Sequence, residues 1–281
     1  MVRERRNRAV CFIGGAGHSG STLVGMILGS HPEAFYAGEA GKSRYLQDAR
    51  KDARKRTCKL CGPACPVWSD FQARDNIDVY EQLSEKTGRP IIIDSTKTLS
   101  WIEERIADLE AAGARSVFIF LQRDGRAVIN SRTRKYPDRS PVEIIEDWIV
   151  KVRRTMVFYE ALRHPKMIVR YEELATEPER VIPEISTFLG IKFVPEMLEF
   201  YRHEHHPLGG NNGTQFIVAR HQGPNPDRPY ARLGDRSREY YENHASGIHL
   251  DLRWKTELGT DVVRLFDEVA GPVNAPLRWE G

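Results

Sequence analysis

Apolar residues along this chain follow two rhythms. Short unbroken runs, Ala9-Val10-Cys11-Phe12-Ile13, Ala34-Phe35-Tyr36-Ala37, Ile91-Ile92-Ile93 ending at Asp94, and Ser116-Val117-Phe118-Ile119-Phe120-Leu121, are bounded by glycine, proline or charged residues. Such runs are the mark of strands buried on both faces. Met167-Ile168-Val169-Arg170 reads as the last of them. Between the runs, apolar positions recur at helical spacing: from Ser21 onward, over 78–87, over 99–112 with Gly113 as the stop, after Arg126, over 141–162, over 178–189 ending at Gly190, and over 248–269. Ile144, Ile145, Trp148, Val152, Met156 and Tyr159 form the core stripe of the 141–162 helix. Strand alternating with helix predicts an α/β fold of three layers, a central parallel β-sheet flanked by helices.

At 281 residues, with 40% hydrophobic and 29% charged residues, the chain suits one large α/β domain or two small ones. We expect a single domain over 1–281, with an insertion at 40–76 and an irregular loop at 200–235 that closes over a site. No apolar run approaches the roughly 18 residues that span a membrane. The basic start MVRERRNR leads into an apolar run of only five residues, without the features of a signal peptide, so a cytoplasmic location is expected. A net charge of +3 is mild, and attraction for anions must come from local placement. Arginines cluster at 123–134 and 228–238, without the interleaved aromatics of a nucleic-acid surface, and no nucleic-acid partner is expected.

The most informative stretch is 9–31, AVCFIGGAGHSGSTLVGMILGSH, which reads as strand, glycine loop and helix. Glycines let backbone wrap an anion, and the first N–H groups of the following helix point at it. Gly15 to Gly20 matches the Walker pattern up to its second glycine, but Ser21-Thr22 stands where the lysine belongs. The loop therefore holds a phosphorylated nucleotide of another kind, or it is only a tight turn.

Other candidates sit where strands end. Glu39 follows the second strand, as a base or as a solvated loop carboxylate. Lys97, in Asp94-Ser95-Thr96-Lys97, is a rim cation or a surface cation at a helix start. Arg123 leaves the fourth strand and Ser131 lies about two turns along the next helix. A guanidinium fork with a hydroxyl suits a phosphate monoester, while Arg123-Asp124 alone suits an ion pair closing a turn. Cys58, Cys61 and Cys65 have metal-ligand spacing without an obvious fourth ligand nearby, so zinc stands beside reduced or disulfide-linked structural thiols. His203, His205 and His206 read as loop or acceptor-site histidines, and no metal ligands are assigned.

These residues, in this order, resemble sulfotransferases that use 3′-phosphoadenosine 5′-phosphosulfate (PAPS), and the resemblance spans nearly the whole chain. Gly17-His18-Ser19-Gly20-Ser21-Thr22 is similar to the family's 5′-phosphosulfate loop, and Gln122 to Ser131 to its 3′-phosphate motif, with Arg123 and Ser131 in the required places. Val169-Arg170-Tyr171-Glu172-Glu173-Leu174 resembles the segment after the last strand. Gly209-Gly210-Asn211 and the arginine-rich stretch after it resemble the segment that covers the nucleotide. The run from Ser19 through His31-Pro32 to Gly38-Glu39 is similar in part to protein-tyrosine sulfotransferases, which implies Glu39 as general base. Lys97 looks like the lysine that helps the leaving phosphate. His18 departs from the family, standing where an arginine or lysine is usual, so it either shares the leaving-group role or faces the acceptor.

The resemblance implies a P-loop-like fold and a transferase moving the sulfonate of PAPS to a hydroxyl, or less readily an amine, of a small-molecule, lipid or glycan acceptor. Catalysis would rest on Glu39, Lys97 and His18, and the donor on Gly17, His18, Ser19, Gly20, Ser21, Thr22, Arg123, Ser131, Tyr171, Gly210 and Asn211. The product is adenosine 3′,5′-bisphosphate (PAP), and the chemistry requires no metal. Rival readings are a small-metabolite kinase using ATP and Mg²⁺, and a nucleotide-binding module without catalysis. Homo-oligomerisation is open.

Overall fold

A computed structural model describes residues 4–72, 78–222, 233, 235–243 and 245–281. All five expected strands form: β1 (Ala9–Gly14), β2 (Ala34–Gly38), β3 (Ile91–Asp94), β4 (Arg115–Gln122) and β5 (Lys166–Arg170). They make one sheet in the order β2-β3-β1-β4-β5 with every neighbouring pair parallel. Parallel strands need crossovers, and the helices between them supply these: α1 (Ser21–Gly29), α2 (Val79–Thr87), α3 (Leu99–Ala111), α4 (Gly125–Lys135) and α5 (Pro141–Ala161). Beyond β5 follow α6 (Tyr171–Thr176), α7 (Pro178–Leu189), α8 (Asn212–His221), α9 (Asp235–Asn243), α10 (Trp254–Glu257) and α11 (Thr260–Asn274).

Because crossovers are right-handed and β1 lies inside the sheet, α1 covers one face while the crossovers running the other way cover the opposite face. α1 is apolar all round, with Thr22 through Leu28 buried, because a 3-10 helix at Pro195–Arg202 packs on its outer side. A second core joins α4, α5 and α11 through Val128, Ile129, Trp148 and Phe266. That core fixes the start of α4 against the C-terminal helix. The α5 stripe is as expected: Ile144, Ile145, Trp148 and Val152 are buried, and Met156 and Tyr159 pack partly buried on the main core.

Two expected elements differ. Residues 248–253 are not helical, and α10 and α11 are separated at Gly259. Here the carboxylate of Asp251 holds the guanidinium of Arg253 at 2.7 Å and a backbone carbonyl faces Arg123, so tertiary ion pairs override the local periodicity. Within the stretch expected to be irregular, Asn211 caps α8 by accepting the Thr214 amide at 3.1 Å. Residues 223–232 and 234, most of the arginine-rich stretch, lie outside the described residues.

Among the described residues no helix is long and apolar enough to cross a membrane.

Candidate active site

Parallel α/β sheets present their reactive rim at the C-terminal ends of the strands, beside the point where strand order reverses. The strand order therefore ranks the candidates along that rim: Glu39 after β2, Lys97 after β3, the glycine loop after β1, and Arg123 after β4.

The loop from Gly15 to Gly20 is bent by residues of positive φ: Gly15 at 127°, His18 at 75° and Gly20 at 100°. A Cβ on Gly15 would lie 2.4 Å from the Leu121 carbonyl oxygen, and one on Gly20 would lie 2.6 Å from the Tyr171 ring. Both positions need glycine for space as well as for φ. A Cβ on Gly17 would meet nothing within 4 Å, so the loop has open space beside Gly17. α1 begins at Ser21, and a helix leaves its first-turn N–H groups without intrahelical partners, free for an anion.

Arg123 and Ser131 both converge on His18. The Arg123 guanidinium donates to the His18 carbonyl at 3.0 Å, and the Ser131 hydroxyl lies 2.8 Å from His18 Nδ1. Burial, reinforced by Lys135, Arg132, Arg123 and Arg134, pushes the His18 pKa down to about 3. The imidazole is thus neutral, and its polar partner is Ser131 in the expected 3′-phosphate motif, not Lys97.

Arg123 is itself 7% exposed, lies over the Tyr171 ring with its guanidinium carbon 4.1 Å from the centroid, and meets the Asp251 carboxylate at 3.5 Å. Tyr171 donates its hydroxyl to the His249 carbonyl at 2.9 Å, and Glu172 accepts the Asp124 amide at 3.0 Å. The segment after β5 thus braces the turn that carries Arg123. Among the described residues Arg123 Nε, Arg134 Nε and Arg253 Nη1 are buried without hydrogen-bond partners. Burying a donor unpaired costs about 1–3 kcal/mol, and a charged guanidinium N–H costs more. Orphaned donors around a neutral histidine are what a bound phosphate dianion would satisfy, and the residues present fit such a group.

On the other side of the loop, Lys97 turns inward and its ammonium donates to the Ile13 carbonyl at 2.9 Å and the Ser95 carbonyl at 2.7 Å. Burial lowers its pKa to about 8 against the opposing pull of Glu39 and Asp94. Glu39 pairs with Lys42 at 2.7 Å and accepts the Gly210 amide at 3.3 Å. Burial raises its pKa, but the Lys42 pair, Lys97 and the Gly210 amide together outweigh that and hold it below the usual value. One buried carboxylate sets both residues: Asp94 accepts from the Ala40 amide at 3.0 Å and the Thr96 amide at 2.8 Å, the neighbours of Glu39 and Lys97.

Residues 208–211 close the rim. The Leu208 carbonyl accepts the Glu39 amide at 2.7 Å, and the Asn211 amide donates to the Thr22 hydroxyl at 2.8 Å. Of the loop residues, Ser19 is buried with its amide on the Ala16 carbonyl at 3.3 Å, and Ser21 opens α1.

A cavity of about 1160 Å³ opens onto this rim at Gly15, Gly17 and Lys97 and runs between α3 and α5, past Ile106, Phe158 and Leu162. Tyr36 and Trp68 lie in the core, each 2% exposed.

A sequence profile described as Sulfotransferase family matches residues 11–195, from β1 through the last strand and α7. The chain belongs to the sulfotransferase family. A Caenorhabditis briggsae protein named as a protein-tyrosine sulfotransferase is 25% identical over 207 residues, 71% of this chain and 70% of its own length. Among solved structures, the sulfotransferase domain from the curacin biosynthetic pathway shares 19% identity at a TM-score of 0.58, covering 94% of this chain and 98% of that one. The sulfotransferase domain of the Synechococcus PCC 7002 olefin synthase shares 18% at 0.58, covering 95% and 96%. At those identities the likeness is one of fold. This sulfotransferase is accordingly an enzyme of sulfonyl transfer with a P-loop-like α/β fold.

Several of its site residues carry no sequence signal. Asp251, Arg134 and Arg253 reach the Arg123 region from remote segments or bear only ordinary charge. Lys42 had a weak signal, a cation three residues after Glu39. His206 joins Cys58, Cys61 and Cys65 from 145 residues beyond Cys61.

Proposed function

We propose that this sulfotransferase moves the sulfonate of PAPS to an acceptor hydroxyl, with Glu39 as base. The observation that carries the reading is the order along the rim: base, cation, phosphate loop, guanidinium fork. The glycine loop and the first turn of α1 hold the 5′-phosphosulfate, and Arg123, Ser131 and the orphaned donors around His18 grip the 3′-phosphate. The acceptor oxygen attacks sulfur in line, Glu39 takes its proton, and the sulfur–oxygen bond to the 5′-phosphate breaks. Lys97 then offsets the charge gained by the departing phosphate. In this scheme His18 serves the 3′-phosphate side, as a neutral partner of Ser131.

Positioning and electrostatics supply the rate. The cavity supports an acceptor with an apolar body, a lipid or small molecule ahead of a glycan, because Leu99, Ile106, Val157 and Phe158 line it beside Lys151 and Arg154.

Sulfur-labelled PAPS, offered with a panel of phenols, steroids and lipid alcohols, is expected to pass label to at least one acceptor class. Phosphoryl transfer from ATP with Mg²⁺ to the same panel, with none from PAPS, would make the chain a kinase instead.

Lys97 sets an alkaline limit. With a pKa near 8 it loses its charge above that pH, so kcat/KM should fall above about pH 8. Because bound phosphate favours the ammonium, the fall in kcat should lie at higher pH. Lys97→Arg should abolish the limb. An unchanged alkaline limb in that variant would assign it to another group.

A further inference from the structure

Cys58, Cys61, Cys65 and His206 each offer one ligand atom, and these four atoms lie within 4.8 Å of one another. His206 Nδ1 is 3.1 Å from Cys61 Sγ and 3.5 Å from Cys65 Sγ, and none of the thiols is disulfide-bonded. Tetrahedral zinc with Zn–S near 2.3 Å and Zn–N near 2.0–2.1 Å sets its ligand atoms about 3.6 Å apart. The two pairs to His206 already have that separation, and the whole cluster lies within about 1.2 Å of it. We propose that it is a closed structural zinc site, Cys3His, which pins residues 206–211 over Glu39.

The surroundings have the features of such a site. The Cys61 amide points at Cys58 Sγ at 3.4 Å, and Gly62, with φ 72°, donates its amide to the Cys58 carbonyl at 3.0 Å, a tight turn that brings Cys58 and Cys61 together. The Glu204 carboxylate lies 3.1 Å from His206 Nε2, the outer-sphere partner that fixes a ligating imidazole. Cys58 and Cys65 are buried and Cys61 partly so, leaving no open position for a substrate. Three thiolates and one imidazole select zinc among common divalent ions. On binding, the three thiols release their protons to solvent while three Zn–S bonds and one Zn–N bond form, without redox change.

The site also has something to hold. From it the chain runs directly to the rim: the Lys59 amide donates to Pro207, the Leu208 amide to Ala37 at 2.9 Å, and the Glu39 amide back to Leu208 at 2.7 Å. Two residues later the Gly210 amide reaches the Glu39 carboxylate. Metal binding stands independently of the sulfotransferase chemistry, whereas the value of pinning Glu39 rests on that reading.

Elemental analysis of the purified full chain is expected to find about one zinc per chain. Cys11→Ser and His206→Cys should keep it, and Cys65→Ser and His206→Ala should lose it. Exchange with Co²⁺ should give the intense visible bands of a tetrahedral site with thiolate charge transfer. Zinc removal should speed amide hydrogen exchange at Glu39, Leu208 and Gly210 while β1 and β4 stay protected. If Cys65→Ser does not fold, zinc content and the cobalt spectrum of the wild type decide. Wild type without zinc or cobalt spectrum, a disulfide among these cysteines, or zinc retained in both Cys65→Ser and His206→Ala would overturn the proposal. Since no substrate enters the metal count, its failure would leave the PAPS reading untouched, and the converse holds.

Discussion

Glu39→Gln lowers kcat by about 10²–10⁴-fold while the affinity for adenosine 3′,5′-bisphosphate stays within a few-fold of wild type. That range is what a positioned general base contributes. The substitution keeps the side-chain oxygen that accepts the Gly210 amide, so the covering segment has no reason to move. It removes the charge that pairs with Lys42 and supports the Lys97 ammonium. Steady-state kinetics beside a binding isotherm separate the outcomes. A large loss in kcat with intact binding assigns Glu39 to the chemical step, and a kcat within twofold of wild type removes it as base. Because its carboxyl is held below the usual carboxylate range, it stays ionised at neutral pH, and any acid limb set by Glu39 is expected below the ordinary glutamate range.

Arg123→Ala weakens binding of adenosine 3′,5′-bisphosphate by about 10- to 150-fold, the equivalent of 1.5–3 kcal/mol for hydrogen bonds to a charged group. Binding of adenosine 5′-monophosphate, which lacks the 3′-phosphate, changes far less. The contrast between the two ligands is the diagnostic, because Arg123 also holds the His18 carbonyl and lies on Tyr171, and its loss lowers stability by itself. Arg123→Lys keeps the charge and gives up the planar fork. It is expected to recover part of the affinity. Equal weakening for both ligands would mean that Arg123 acts only through the fold.

Much of this architecture is visible in the chain itself. β1 to β4 are continuous apolar runs because both of their faces are buried, which removes the ambiguity of half-exposed strands, whereas the edge strand β5 leaves Ile168 exposed. The rim candidates stand out for a related reason: a charged or glycine-rich residue directly after a fully apolar run has few structural explanations. Arg123 has that position, and Lys97 stands three residues beyond β3.

What stayed hidden depends on separation in sequence. Asp94 braces Glu39 and Lys97 through two backbone amides, and its place at a strand end discloses no partner. Asp251 reaches Arg123 across 128 residues. His206 lacked a fixed spacing to the cysteine turn, so the three thiols looked short of a ligand until the fold delivered one. The first residues of the helix expected over 248–269, 248–253, are not helical for the same reason, since Asp251 and Arg253 answer to the Arg123 site rather than to their neighbours. His18 shows a subtler limit. Its position in the loop suggests the sulfonate, yet its positive φ and its bond to Ser131 turn the ring to the other phosphate motif.

Calorimetric titration of the wild-type chain with adenosine 3′,5′-bisphosphate, and separately with ATP and Mg²⁺, tests the central claim most directly. If the orphaned donors of Arg123, Arg134 and Arg253 beside Ser131 hold a 3′-phosphate, as proposed, a group that ATP does not carry, the bisphosphate should bind at least about 100-fold more tightly, a gap near 2.7 kcal/mol. Tighter binding of ATP with Mg²⁺, or equal affinity for the two, would contradict it.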